Sequence, residues 1–194
     1  MGGCGALDEP CETPEPDDPG PDEQANCRVV RRFVDGVWNY SWSAEDDKRF
    51  LAERAAGNRA HVPQPIGAVL MNLRSDTTVR HRRSSSGKRV RSSGPDDYAI
   101  CIGSVHEVAP DLRIEILDLV PEGERVVAHL VVTGTDRRLD GRDDQPGAFG
   151  AARPTGRRFR YDAAMLYLVR EGRIQADWLL RRAKVSFEPA PSAA

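Results

Sequence analysis

No apolar stretch in this sequence is long enough to span a bilayer: runs such as residues 114–120 are short, and 30% of the 194 residues are charged. A membrane-spanning role is excluded on that count. The start lacks a basic cluster followed by an apolar run, and the Met-Gly-Gly-Cys opening has Ala6 where a myristoylation pattern needs Ser or Thr. Neither export nor lipid anchoring is expected. Cysteine is scarce: Cys4, Cys11, Cys27 and Cys101 have none of the paired spacing of a zinc site. They read as reduced thiols of a cytoplasmic protein, and no metal is expected.

Residues 1–26 contain no Lys or Arg, but carry eight acids and prolines at 10, 14, 16, 19 and 21. Such a segment buries too little to offset its ordering entropy, so a disordered acidic tail is expected there. The whole chain has a formal charge of −2, which leaves roughly +6 for the remainder once the tail's acids are set aside. The core material suffices for one domain, expected over residues 27–188, with residues 189–194 a second disordered end.

What is present is amphipathic pattern. Asn26 is placed to cap a helix in which Val30, Phe33, Val34, Val37 and Trp38 share one side while Arg28, Arg31, Arg32 and Asp35 face away. Ser43 with Asp46 has capping-box spacing for a second helix, which carries Phe50, Leu51 and Ala55 and ends at Gly57. Pro63 and Pro65 break any helix, and residues 66–73 read as extended or briefly helical. Residues 82–94 hold no apolar pattern and read as an exposed basic loop; a third helix follows from Pro95 and stops before Pro110. The period then changes to two. Leu112, Ile114 and Ile116 begin a strand, residues 126–135 form the next, residues 159–169 a third, and residues 174–187 a fourth after the turn at Glu171 and Gly172. Helices first and an antiparallel meander second is an α+β order.

Several phrases then stand in a familiar order: Phe33-Val34-Asp35-Gly36-Val37-Trp38-Asn39, Ala109-Pro110-Asp111-Leu112-Arg113, Val132-Thr133-Gly134-Thr135, Pro154-Thr155-Gly156-Arg157-Arg158, and Arg170-Glu171-Gly172-Arg173-Ile174 with Trp178. The set resembles the SnoaL-like polyketide cyclase family over roughly half the chain. The resemblance implies the cone-shaped nuclear transport factor 2-like fold, with N-terminal helices packed on a curved antiparallel β-sheet around a cavity. It also implies ring closure by an intramolecular aldol reaction with no cofactor, driven by an acid/base carboxylate. In those cyclases the working aspartate stands seven residues before the glycine of the following turn. Counted back from Gly172, that position holds Met165, and a thioether cannot exchange a proton.

The candidates for chemistry follow from parity. Phe159, Tyr161, Ala163, Met165 and Tyr167 share one face of the third strand, and Asp162, the nearest carboxylate, falls on the other. His129, mid-strand with Val127, Val131 and Thr133, is the candidate proton carrier, against the alternative of a hydrogen-bonded core histidine. Tyr167 or Asn39 would orient or stabilise an enolate oxygen. Trp38, Trp178, Tyr161 and Met165 would wall the pocket, and His81 would line its mouth. His106, at a helix end, is read as a structural residue whose protonated form the helix dipole favours, and His61 as a loop residue.

These features imply a small-molecule enzyme of secondary metabolism, a cyclase or isomerase, acting on a polycyclic or aromatic substrate. A non-catalytic binding protein of the same fold is the alternative that Met165 favours. An epoxide hydrolase would need an Asp-Arg-Asp set facing the cavity, and position 131 is Val. The basic loop has no interleaved aromatic residue, which argues against nucleic acid, and a homodimer through the sheet is the expected assembly.

Overall fold

The structure is a computed structural model that describes residues 18–41, 43–56, 64–83, 89–138, 141 and 153–189. The expected tail up to residue 17, the last residues of the expected C-terminal end, His61, and the side chains of Phe50, Leu51 and His81 lie outside the described residues.

Helix α1 spans Pro21–Phe33 and continues as a π-type turn over Val34–Trp38. It buries Val29, Val30, Phe33, Val34 and Val37, the apolar side read from the sequence. Its start differs from the expectation. Glu23 accepts the Gly20 N–H at 3.0 Å, so the helix begins five residues before Asn26, inside what was expected to be tail. Asn26 does not cap it; its amide donates to the Gly123 carbonyl at 2.9 Å, while Glu23 accepts the Gly123 N–H at 2.7 Å. One turn of α1 thus clasps a distant hairpin.

Helix α2 (Ala44–Ala55) begins at the predicted capping box: Ser43 N–H and hydroxyl donate to Asp46, whose own N–H returns to Ser43 Oγ. Helix α3 (Gln64–Leu73) buries Ile66, Leu70 and Leu73, and so resolves the ambiguous stretch as a helix. The expected basic loop is a correction: strands β1 (Arg74–Arg83) and β2 (Arg89–Ser93) form a hairpin through it, and its residues 84–88 lie outside the described set. Backbone pairing places these residues in the sheet, which hydrophobic periodicity does not show. Helix α4 (Gly94–Val108) follows, then β3 (Arg113–Glu122), β4 (Arg125–Thr135), β5 (Arg158–Arg170), β6 (Arg173–Arg182) and the short β7 (Ser186–Phe187).

The sheet runs β2-β1-β6-β5-β4-β3, with β7 beside β5. All ladders are antiparallel except β1 on β6. Two departures from the meander read in the sequence are therefore the early hairpin and this parallel seam. The β5–β6 hairpin turns on Glu171 (φ 51°) and Gly172 (φ 70°), two consecutive left-handed residues that suit a two-residue turn. At Gly134 a Cβ would stand 2.8 Å from Phe159 Cζ and 3.3 Å from the Leu112 backbone, so only glycine lets the three elements close up.

Helices α1, α3 and α4 pack on the sheet. Between the layers Val126, Ala128, Leu130, Phe159, Ala163, Met165, Tyr167 and Ile174 meet Phe33, Ile66, Leu70, Tyr98 and Ile102. Among the described residues no helix is long and apolar enough to cross a membrane.

Candidate functional site

On β5 the inner face carries Phe159, Ala163, Met165 and Tyr167, as alternation requires. On β6 the alternation is broken. The β5–β6 register shifts between Leu168 and Val169, so that Ile174 opposes Val169, Ala176 opposes Leu168 and Asp177 opposes Tyr167. Strict parity from Ile174 puts Trp178 inside and Asp177 outside; the bulge reverses both. Asp177 consequently enters the core at 0% exposure.

Its partner is Arg74, the first residue of β1, which is 1% exposed. Arg74 Nη1 lies 3.5 Å from Asp177 Oδ2. The guanidinium stacks on Tyr98, its Cζ 3.9 Å from the ring centroid, with Phe33 at 5.3 Å. Tyr98 and Tyr167 both pack against Phe33, at centroid distances of 5.4 and 6.2 Å. A carboxylate, a guanidinium and two phenols therefore occupy one aromatic chamber, where charges persist only because they are paired. The Arg74 Nε finds no hydrogen-bond partner among the described residues.

One row further along the sheet the inner face reaches solvent. Leu179, opposite Met165, is 38% exposed, and beyond it Arg182 lies over the Tyr161 ring with its Cζ 5.8 Å from the centroid. Leu179 and Arg182 thus lie on the same face as Met165 and Tyr161, beyond the buried Arg74–Asp177 pair.

The sequence candidates divide accordingly. Tyr161, Met165 and Tyr167 share the inner face. His129 does not join them: it is exposed, on the outer face of β4 beside Asp118 and Ala164, because residues 126, 128 and 130 take the core side. Asp162 is also exposed on the outer face. Trp178 stands opposite Leu166 on that face, turned outward by the bulge. Trp38 is buried edge-on to Tyr98, 5.8 Å between centroids, as core packing. His81 pairs with Trp178 in the β1–β6 ladder, and its side chain lies outside the described residues.

Asn39 has a structural task. Its Oδ1 accepts the Ile114 N–H at 2.7 Å and its Nδ2 donates to the Ile114 carbonyl at 2.8 Å, so the side chain acts as one residue of an extra strand on the β3 edge. A polar groove of about 440 Å³ lies beside it, lined by Arg31, Asp35, Arg113, Glu115 and Thr133, with its charges balanced in sign. Asn39→Ala should cost about 1–3 kcal/mol in chemical denaturation, with activity unchanged where the fold persists.

His106 is 1% exposed, and burial pushes its pKa down from 6.5 to about 4; the Pro110 carbonyl offsets only part of this. The ring is neutral, against the expectation that the helix end would protonate it. Between those two values the unfolded chain holds the extra proton, so the contribution is fully present above pH 6.5 and is lost as pH falls toward 4. Wild type should lose about 3 kcal/mol over that window relative to His106→Leu, read from denaturant midpoints at each pH.

A sequence model described as SnoaL-like polyketide cyclase matches residues 74–181, more than half of the chain. The chain belongs to this family. The matched segment runs from Arg74 past Asp177, and so contains both members of the buried pair. A search of the curated proteins finds no match. Among solved structures, a Jannaschia sp. CCS1 protein assigned as a SnoaL-like polyketide cyclase aligns with TM-score 0.57 and 16% identity, covering 84% of this chain and 89% of its own. TsrD from Streptomyces laurentii aligns with TM-score 0.52 and 17% identity, over 81% and 87%. At such identities the likeness establishes the fold: helices on a curved sheet, of the nuclear transport factor 2-like kind. This SnoaL-like chain has Met165, 6% exposed, at the position where the family resemblance puts an aspartate.

Proposed function

We propose that this SnoaL-like protein is a cofactor-independent enzyme of secondary metabolism, of the cyclase or isomerase type, with Asp177 as its acid/base carboxylate. The buried Arg74–Asp177 pair carries this reading: it supplies, from the neighbouring strand, the carboxylate that Met165 cannot. Asp177 would take a proton from the carbon beside a substrate carbonyl; the C–H electron pair moves into the carbonyl, leaving an enolate oxygen. That enolate carbon attacks a second carbonyl of the same molecule, and Asp177 returns its proton to the new alkoxide, so no oxidant or cofactor is consumed. Tyr167, opposite Asp177 in the ladder, would donate to the enolate oxygen. Met165, Leu179 and Tyr161 would receive an aromatic or polycyclic body.

The test is deuterium uptake at the α-carbon of 1-tetralone, followed by NMR. Wild type should exchange faster than buffer, Asp177→Asn should not, and His129→Ala, on the outer face, should match wild type. Ketone binding without exchange by the wild type would instead favour a non-catalytic binding protein, the reading that Met165 supports.

We place the protein in the cytoplasm, where the free thiols of Cys27 and Cys101 are stable, and infer a homodimer through the outer sheet face. There Val120 (55% exposed), Val127 (36%), Leu166 and Trp178 form one row across four strands. Val127→Glu should turn a dimer into a monomer in sedimentation; a wild-type monomer would refute the assembly.

A further inference from the structure

The outer edge of β3 is closed on both sides of a single rung. Asn39 takes both backbone groups of Ile114, the Leu119 N–H turns to Asp118 Oδ1 at 2.8 Å, and Pro121 has no N–H to offer. Ile116 lies two residues beyond Ile114 and before the register shift, so alternation turns its N–H and C=O to the same edge. Among the described residues no side chain takes them. This open rung faces the groove of about 440 Å³, a volume within the usual range of small-ligand sites, about 300–1,000 Å³. Arg31 and Asp35 wall the groove from α1 and its π-type turn, Arg113 and Glu115 wall it from β3, and Val131, 1% exposed, lies at its floor. None of these four charges is ion-paired among the described residues.

We propose that this groove binds a free α-amino acid with an aliphatic side chain. A residue of an added strand would offer Ile116 one donor and one acceptor, and the ammonium and carboxylate of an amino acid offer the same pair. Arg31 and Arg113 attract the carboxylate, and Asp35 and Glu115 the ammonium. Two wall charges of each sign work against a ligand that carries only one. A peptide is disfavoured as well, because Asn39 and Asp118 close the rungs on either side and leave an added chain one residue to pair with. The groove lies at β3, three strands from Asp177 on β6, so the inference stands apart from the reaction proposed there.

The experiment is calorimetric titration of the full chain with L-leucine, N-acetyl-L-leucine, L-leucinamide and trileucine. Wild type should bind L-leucine. Each capped form keeps one charge and should bind at least about tenfold more weakly, and trileucine should also bind more weakly than the free amino acid. Arg113→Gln and Glu115→Gln alter exposed side chains, so both variants should keep the native circular dichroism, yet each should weaken L-leucine by about tenfold. Failure of wild type to bind L-leucine, equal affinity for either capped form, or unchanged affinity in either variant would overturn the inference. Trileucine binding as tightly as L-leucine, or more tightly, would overturn it in favour of strand addition at the β3 edge.

Discussion

Asp177→Asn is expected to lower α-proton exchange and any ring-closing turnover by about 10²–10⁴, the usual worth of a positioned proton carrier. The substitution keeps the size and planarity of the side chain, and replaces a proton acceptor with an amide that cannot serve. Since Asp177 is 0% exposed and opposes Tyr167 across the β5–β6 ladder, its place in the chamber is fixed by the strands rather than by its own flexibility. The effect should therefore appear in the rate with the binding of neutral ketone preserved. Equal losses at His129 or Asp162 would contradict the assignment, because both are exposed on the other face of the sheet.

The second large effect concerns stability. Removing one member of a buried ion pair leaves an uncompensated charge, which costs about 3–5 kcal/mol, whereas replacing both by apolar groups of similar volume is about neutral or stabilising. Arg74→Met should lower the unfolding free energy by that amount in chemical denaturation, with Phe33 and Tyr98 losing their packing partner as well. Arg74→Met with Asp177→Leu should recover most of it. A double variant as unstable as the single would mean that the cation stacked on Tyr98, and not the neutralisation of Asp177, is what the core needs.

The fold was largely readable because its apolar faces are regular. The stripe from Val30 through Val37, the capping box at Ser43, and the alternation of residues 126–135 and 159–169 each follow a single period over enough residues to declare their element. The β1–β2 hairpin was not readable, since its Arg-rich strands are placed by backbone pairing that leaves no mark on hydrophobicity. The site failed for a related reason. A bulge at Gln175 turns Asp177 inward and Trp178 outward until a second register shift between Leu179 and Arg181 reverses it, and nothing in the composition of Ile174-Gln175-Ala176-Asp177-Trp178 announces the first. Trp178 is expected as a pocket wall from the convergence of elements in the fold, whereas the bulge gives the inner place to Asp177. His129 was misplaced by a choice of face: the strand alternates over residues 125–130, and the small and branched residues at 126, 128 and 130 win the core side. One clue did exist. Arg74 follows the apolar helix of residues 64–73 at once, and Asp177 is the single acid in an apolar strand segment; two such charges inside core elements must pair.

The most direct measurement is α-proton exchange of 1-tetralone by the folded Arg74→Met/Asp177→Leu protein, because that variant removes the proposed chemistry while leaving a packed core. The account predicts native circular dichroism, near-native stability and exchange no faster than buffer. A folded double variant that exchanges at the wild-type rate would contradict it, and would place the proton carrier outside the chamber.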